Sequence, residues 1–271
     1  MNWIIAIPSH GRSKSINANT LKVLHDYDVP TNRIKVFVAP DEVEAYRSTI
    51  LSQIEIVPSI IGCIENRAYI RQYFPEGQHI VYIDDDIKGI FSVCDQSDNH
   101  ATCETMKAKN NKSPDYVKQI RLPDLCKFLT NAFNVLVLEG ASFGGIYPIA
   151  NGFFASHQYR TDLRYVCGGM YFEINHQDIV LQGLQYAEDF ERTGLFYKRD
   201  GKLIRFEWCM LKTPYYKGDG DSGAGGLVES RTIELTRLAQ LKVIEMYPGY
   251  FSLVEPTKNN KFYTLKVLKQ K

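Results

Sequence analysis

Three consecutive aspartates, Asp84-Asp85-Asp86, follow directly on the apolar residues VYI. Side chains alternate along an extended chain, so Asp84 and Asp86 are expected to point into one crevice and Asp85 away from it. Two hard oxygen ligands on one side suit Mg²⁺ or Mn²⁺, with a diphosphate supplying further oxygens. Such a cation would neutralise charge on a departing nucleoside diphosphate, which is Lewis-acid catalysis. An acidic turn closing a buried strand has the same sequence, and both readings stand.

A second group lies at Ile7-Pro8-Ser9-His10-Gly11-Arg12, where an apolar run turns at a proline. The backbone amides of this turn, the Ser9 hydroxyl and Arg12 could hold a base, ribose or phosphate. A plain strand exit with a surface arginine is the alternative. Arg67 lies in the helix-like segment ahead of the aspartates and could pair with Asp84 or with a nucleotide; a solvated helical arginine is the simpler case. Glu188-Asp189 opens another helix-like segment. Acids there are favoured by the helix dipole, and either could take the proton of an attacking hydroxyl as general base. Residues 217–226, KGDGDSGAGG, are glycine-dense. Their amides and Lys217 could close over a diphosphate, or the segment could be a linker.

The absences also count. The glycine-rich loop lacks the GKS/T ending of a P-loop, which removes an ATPase of that type. No GxSxG elbow, no GxGxxG after the first strand and no HExxH occur, against a serine hydrolase, a Rossmann dehydrogenase and a zincin.

The elements that must position these residues alternate. Residues 3–7, 34–39, 54–57 and 79–83 are short apolar runs that suit buried strands, with the fourth running into the aspartates. Between them, Ile16, Leu21 and Leu24 give a helical stripe, Asp41 and Glu44 suggest a capping box, and residues 64–74 a helix closed by Pro75 and Gly77. Strands alternating with helices imply βαβ units and a mixed, mostly parallel sheet flanked by helices. Ligands of such sheets bind beyond the carboxyl ends of the strands, so the Pro8–Arg12 turn and the aspartates are expected to share one crevice. Residues 95–118 carry four acids and four lysines without apolar period and are expected to be a flexible insertion. Pro123 is expected in the first turn of a helix reaching about residue 138. Residues 141–147, 164–174 and 202–208 suit strands. A helix over 229–246 would place Ile233, Leu238, Leu241 and Ile244 on one side. The tail 256–271 has five lysines, no acid and a strand-like stretch at 262–268.

Composition bounds the class. The chain has 271 residues, 44% of them hydrophobic, and 32 basic against 31 acidic side chains, a net charge of +1. That excludes whole-chain disorder and a charge-driven nucleic-acid coat protein. The apolar runs are too short to span a bilayer, and neither a basic n-region nor a long apolar stretch opens the chain, so no membrane span and no signal peptide are expected. Six cysteines without a CxxC pair suit reduced thiols in a cytoplasmic compartment.

Taken together and in order, IAIPSHGRS at 5–13, IENRAYIRQYFPEGQHIVYIDDDIKGI at 64–90 and AEDFERTG at 187–194 resemble the TET/JBP-associated glycosyltransferases. This is a GT-A-type group of phages and some eukaryotes, with relatives in base J synthesis. The resemblance is densest over 3–92 and resumes around 164–226; His10 and residues 63–65 depart from it. It implies a GT-A fold, a nucleotide-sugar donor such as a UDP-sugar, and Mn²⁺ or Mg²⁺. It implies that Asp84 and Asp86 bind donor ribose and metal, and that Asp189 meets the acceptor hydroxyl. The acceptors it implies are 5-hydroxymethylpyrimidines in DNA, in the host cytoplasm if the chain is phage-encoded.

The expectation is therefore one GT-A-like domain over 1–271, with a nucleotide-sugar half at 1–92 and an acceptor half at 120–271. Asp86 and Asp84 would hold the metal, and Pro8, Ser9, Arg12, Arg67, Asp84, Asp85 and Lys217 the donor. Asp189 and Glu188 would carry the proton chemistry. A duplex acceptor would require base flipping, with the lysine-rich tail and residues 107–121 meeting phosphates. A transferase acting on a protein or small-molecule hydroxyl, and a non-catalytic nucleotide- or DNA-binding module, remain as alternatives.

Overall fold

The computed structural model describes residues 2–93, 104–105, 118–213, 231–258 and 260–270. Thirteen strands occur among them: β1 (Trp3–Pro8), β2 (Ile34–Val38), β3 (Glu55–Pro58), β4 (His79–Ile83), β5 (Gly89–Val93), β6 (Glu104–Thr105), β7 (Lys118–Arg121), β8 (Phe143–Tyr147), β9 (Tyr159–Arg160), β10 (Met170–Ile174), β11 (Ile204–Lys212), β12 (Phe251–Val254) and β13 (Thr264–Val267). The helices are α1 (Ser15–Ala18), α2 (Thr20–His25), α3 (Val43–Arg47), α4 (Cys63–Tyr73), α5 (Leu125–Glu139), α6 (Glu188–Asp200) and α7 (Ile233–Met246).

β1 and β4 are continuous apolar runs because helices cover both of their faces. They pair in parallel, and β2 and β3 extend the parallel half outward. β10 joins the other side of β4 antiparallel, followed by β8, β11, β5, β7 and β6, with β9 on β11. The expected mixed α/β sheet flanked by helices is thus present. Ile5 and Ile7 face a core layer with α2, α3 and α5, while Ala6 and Phe37 face a second with α4 and α6. β12 and β13 pair separately and pack on α7.

Several local expectations are corrected. The strand expected from residue 164 starts only at Met170, because 164–169 form a loop ending in Gly168-Gly169. The Asp41–Glu44 capping box does not form: Pro40 opens a 3₁₀ turn, and α3 begins at Val43 without a side-chain cap. Asp124 caps α5 by accepting from the Lys127 amide, which leaves Pro123 outside the helix. α7 is turned over: Ile233, Leu238 and Leu241 are exposed, and Thr236, Gln240 and Val243 are buried. Glu104–Thr105 form the edge strand β6, paired with β7, which holds Lys118, whereas the rest of 95–118, and Lys217 with loop 217–226, lie outside the described residues. No helix among the described residues is long and apolar enough to cross a membrane. Cys63, Cys126 and Cys209 carry free thiols.

One buried ion pair fixes α4 on the sheet. Arg71 donates to Glu173 of β10 through both Nε (2.6 Å) and Nη2 (2.9 Å), with both side chains buried. Breaking such a pair from one side strands a charge. Glu173→Gln is expected to lower unfolding free energy by about 3 kcal/mol in urea titrations. Arg71→Met combined with Glu173→Leu is expected to recover most of that loss.

Candidate active site

The carboxyl ends of the adjacent strands β1 and β4 open at the same edge of the sheet, the position where open α/β sheets take ligands. β10 runs against β4 with Met170 opposite Ile83, so Gly168-Gly169 arrive at that edge. The first turns of α4 and α6 and the end of β11 complete the crevice.

β4 ends at Ile83, so the three aspartates occupy a turn and not an extended strand. The turn is tied at four points. The Asp84 amide donates to the Gly169 carbonyl (3.0 Å). Thr20 Oγ1 donates to the Asp84 carbonyl (2.5 Å) and accepts from the Ile87 amide (2.9 Å). Thr213 Oγ1 donates to Asp86 (3.0 Å). Asp85 is buried, while Asp84 and Asp86 stay partly exposed, so the expected division of the three is realised by a turn.

Each aspartate meets an arginine. Arg12 Nη1 lies 2.5 Å from Asp85 and 3.3 Å from Asp86. Ser9 Oγ donates to Asp85 (2.5 Å) and shares a second hydrogen bond with Tyr46 Oη (2.7 Å), so its hydroxyl serves the turn. Pro8, the last residue of β1, sits opposite Phe37. Arg67 is buried; its Nη2 donates to Asp84 (2.7 Å) and its Nη1 to Glu188. Glu42 accepts from the Gly11 amide (2.6 Å) and faces His10, closing the first turn from outside.

Glu188 and Asp189 both lie in the first turn of α6, where the helix dipole favours acids. Their surroundings differ. Glu188 is closed in by Arg67 and Cys63, whereas Asp189 is partly exposed, with Oδ1 on Arg192 Nη2 (2.6 Å) and Oδ2 on Tyr165 Oη (2.9 Å). A Cβ on Gly168 would lie 2.6 Å from Asp189 Oδ1, so a larger residue here would have to displace that carboxylate from its bond to Arg192. Tyr186 takes a left-handed φ of 71° just before this helix, and Gln240 of α7 holds its carbonyl (3.1 Å).

Arg192, Thr20, Tyr46, Tyr165 and Gly168 were not marked by sequence reasoning. Arg192 follows Asp189 at i+3, a spacing that places both on one helix face and offered a signal. Thr20 and Tyr46 reach the site from distant elements and offered none.

Among the described residues the crevice is short of positive charge. Asp84, Asp85, Asp86, Glu188 and Asp189 share three guanidiniums, those of Arg12, Arg67 and Arg192. Burial raises the Asp84 carboxyl to about 7; Arg67 opposes this, and Asp86, Asp85 and Asp189 add to it. Burial also raises Asp85 against the pull of Arg12 and Ser9. Glu188 goes the other way: burial would raise it, but Arg67 and Arg192 hold it below the ordinary range. Burial pushes the Cys63 thiol up to about 12, which keeps it protonated and unreactive.

Among the described residues no group of three or more His, Cys, Asp or Glu side chains could hold a metal alone. The partly exposed oxygen donors of Asp84 and Asp86, in a cluster whose described carboxylates outnumber its guanidiniums, fit a hard divalent cation that takes its other ligands from phosphate and water.

Neither a protein-family model nor a curated protein sequence matches this chain. Several solved structures are similar to it over most of its length. S. aureus TarS 1–349 in complex with UDP-GlcNAc has 14% identity and a TM-score of 0.47, covering 90% of this chain and 67% of that one. Mannosyl-3-phosphoglycerate synthase from Rubrobacter xylanophilus has 10% identity and a TM-score of 0.46, covering 100% and 85%. Glucosyl-3-phosphoglycerate synthase from Mycobacterium tuberculosis, in complex with Mn²⁺, UDP and phosphoglyceric acid, has 10% identity and a TM-score of 0.46, covering 99% and 87%. The chain spans 66% of TarS 1–349 in a further structure and 40% of a longer TarS chain.

Thr20→Val tests the tie on the aspartate turn. It leaves the Asp84 carbonyl and Ile87 amide without their shared partner and is expected to cost about 2 kcal/mol in urea denaturation.

Proposed function

We propose that this protein is a divalent-cation-dependent glycosyltransferase of GT-A type. It would move a sugar from a nucleotide-sugar, a UDP-sugar first, to the hydroxymethyl group of a 5-hydroxymethylpyrimidine in DNA. The observation that carries the transferase reading is the pair of partly open carboxylates, Asp84 and Asp86, at the end of β4, within electrostatic reach of Asp189, in a crevice whose described residues hold more carboxylates than guanidiniums.

On this reading Asp86 and Asp84 hold Mn²⁺ or Mg²⁺, which when bound neutralises charge on the departing diphosphate. Arg12 lies at the same opening and orients the nucleotide, with Asp85, itself held by Ser9, fixing its guanidinium. Arg67 holds Asp84 from beneath. Lys217 would meet the diphosphate from loop 217–226. Asp189 accepts the proton of the acceptor hydroxyl as that oxygen attacks the sugar carbon. Glu188 stays on Arg67 and steadies the first turn of α6.

The DNA acceptor rests on the sequence resemblance. A net charge of +1 favours a second reading, a transferase of the same type acting on a protein or small-molecule hydroxyl.

Calorimetric titration with UDP separates these claims. Binding is expected only with Mn²⁺ present and is expected to be lost in Asp86→Ala; equal binding without a divalent cation would sink the reading. Asp189→Asn is expected to keep UDP binding and to slow sugar transfer by about 10²- to 10⁴-fold. Transfer to a duplex carrying 5-hydroxymethylcytosine, with none to plain duplex, is the outcome expected for the DNA acceptor.

A further inference from the structure

The proposed site has two working ends, Asp84 at the cation and Asp189 at the acceptor, and three buried charges lie between them. Arg67 bridges Asp84 and Glu188, and Arg192 lies within electrostatic reach of Glu188 and donates to Asp189 (2.6 Å). The row alternates in sign: Asp84, Arg67, Glu188, Arg192, Asp189. Side-chain exposure is 36% and 22% at its two ends, and 5%, 13% and 0% at the three residues within.

Arg192 is the member that packing alone does not explain. Its guanidinium lies 4.1 Å from the centre of the Tyr171 ring, and its Nε and Nη1 are buried without hydrogen-bond partners among the described residues. Burying those nitrogens is costly, and a methionine would fill similar space without the cost. A guanidinium retained there serves through its charge and its one strong bond, which goes to Asp189.

We propose that Arg192 is a positioning residue: it holds Asp189 for the acceptor and, across Glu188 and Arg67, its charge opposes cation binding at Asp84. One row of charges thereby sets both ends of the site. The inference rests on the transferase reading above.

The test titrates Mn²⁺ into the protein saturated with UDP and measures UDP-glucose hydrolysis alongside. Arg192→Met removes a positive charge from the row that ends at Asp84 and is expected to tighten Mn²⁺ binding by about threefold or more. It is expected at the same time to slow hydrolysis by about 10- to 100-fold, the usual loss when a supporting partner is removed. Arg192→Lys keeps the charge without the planar fork, so Mn²⁺ affinity is expected to stay at the wild-type level while turnover recovers only in part. A purely structural role would weaken binding and turnover together. Unchanged or weaker Mn²⁺ binding in Arg192→Met overturns the proposal. Should that variant fail to fold, Glu188→Gln carries the test: losing an anion from the row is expected to weaken Mn²⁺ binding by about threefold, and no change overturns the proposal. Wild-type protein that shows no Mn²⁺-dependent UDP binding overturns the transferase reading as well; wild-type binding with unaltered variants overturns this inference alone.

Discussion

Among the described residues, five carboxylates crowded at the end of one sheet, with three guanidiniums to offset them, are the constraint on which the rest of the structure depends. Like charges so close repel strongly where water is scarce. The fold answers by giving each arginine two acidic neighbours: Arg12 takes Asp85 and Asp86, Arg67 takes Asp84 and Glu188, and Arg192 takes Asp189 with Glu188 nearby. What is left over is negative charge on the open side of Asp84 and Asp86. That excess of charge is the chemical property a divalent cation recognises, and it persists because each guanidinium is shared between two acids.

The sheet topology is what makes this crowding possible. Two parallel strands, β1 and β4, end side by side, and the antiparallel β10 starts beside them. A purely parallel sheet would place the start of the next strand at the opposite edge. Reversing one strand brings Gly168-Gly169 against both carboxylate groups, with the Gly169 carbonyl on the Asp84 amide and Gly168 against Asp189. Residues far apart in the chain, Asp84 and Asp189, are therefore brought to one edge of the sheet.

Local signals were legible in the sequence. The apolar run into Asp84, the Pro8 turn and the acids opening α6 each depend on neighbours a few residues away, and each element forms where its residues suggested. What failed depends on distance. Ser9 looked like a ligand contact, yet Tyr46 and Asp85 occupy its hydroxyl from elsewhere in the chain. The period of α7 showed an amphipathic helix but not which side is covered. The hydrogen bond of Gln240 to the strained Tyr186, together with Thr236 and Val243, turned the polar side inward. Thr20 carried no signal because its two hydrogen bonds lie more than sixty residues away in sequence.

Helix α4 shows why the buried charges matter beyond their net energy. Arg67 and Arg71 are one turn apart and share a face. Arg71 grips Glu173 with a planar, two-point bond, and Arg67 bridges to Asp84 and Glu188. An apolar face would be satisfied by many small rotations and slides of the helix, since hydrophobic contact is not directional. Two guanidinium forks on fixed carboxylates admit one setting. A rotation that relaxed either fork would strand a charge in the interior, which is far more costly than a small loss of apolar contact. The helix is therefore registered against β4 and β10 by the same kind of bond that sets the crevice, and the position of Asp84 follows from the core upward.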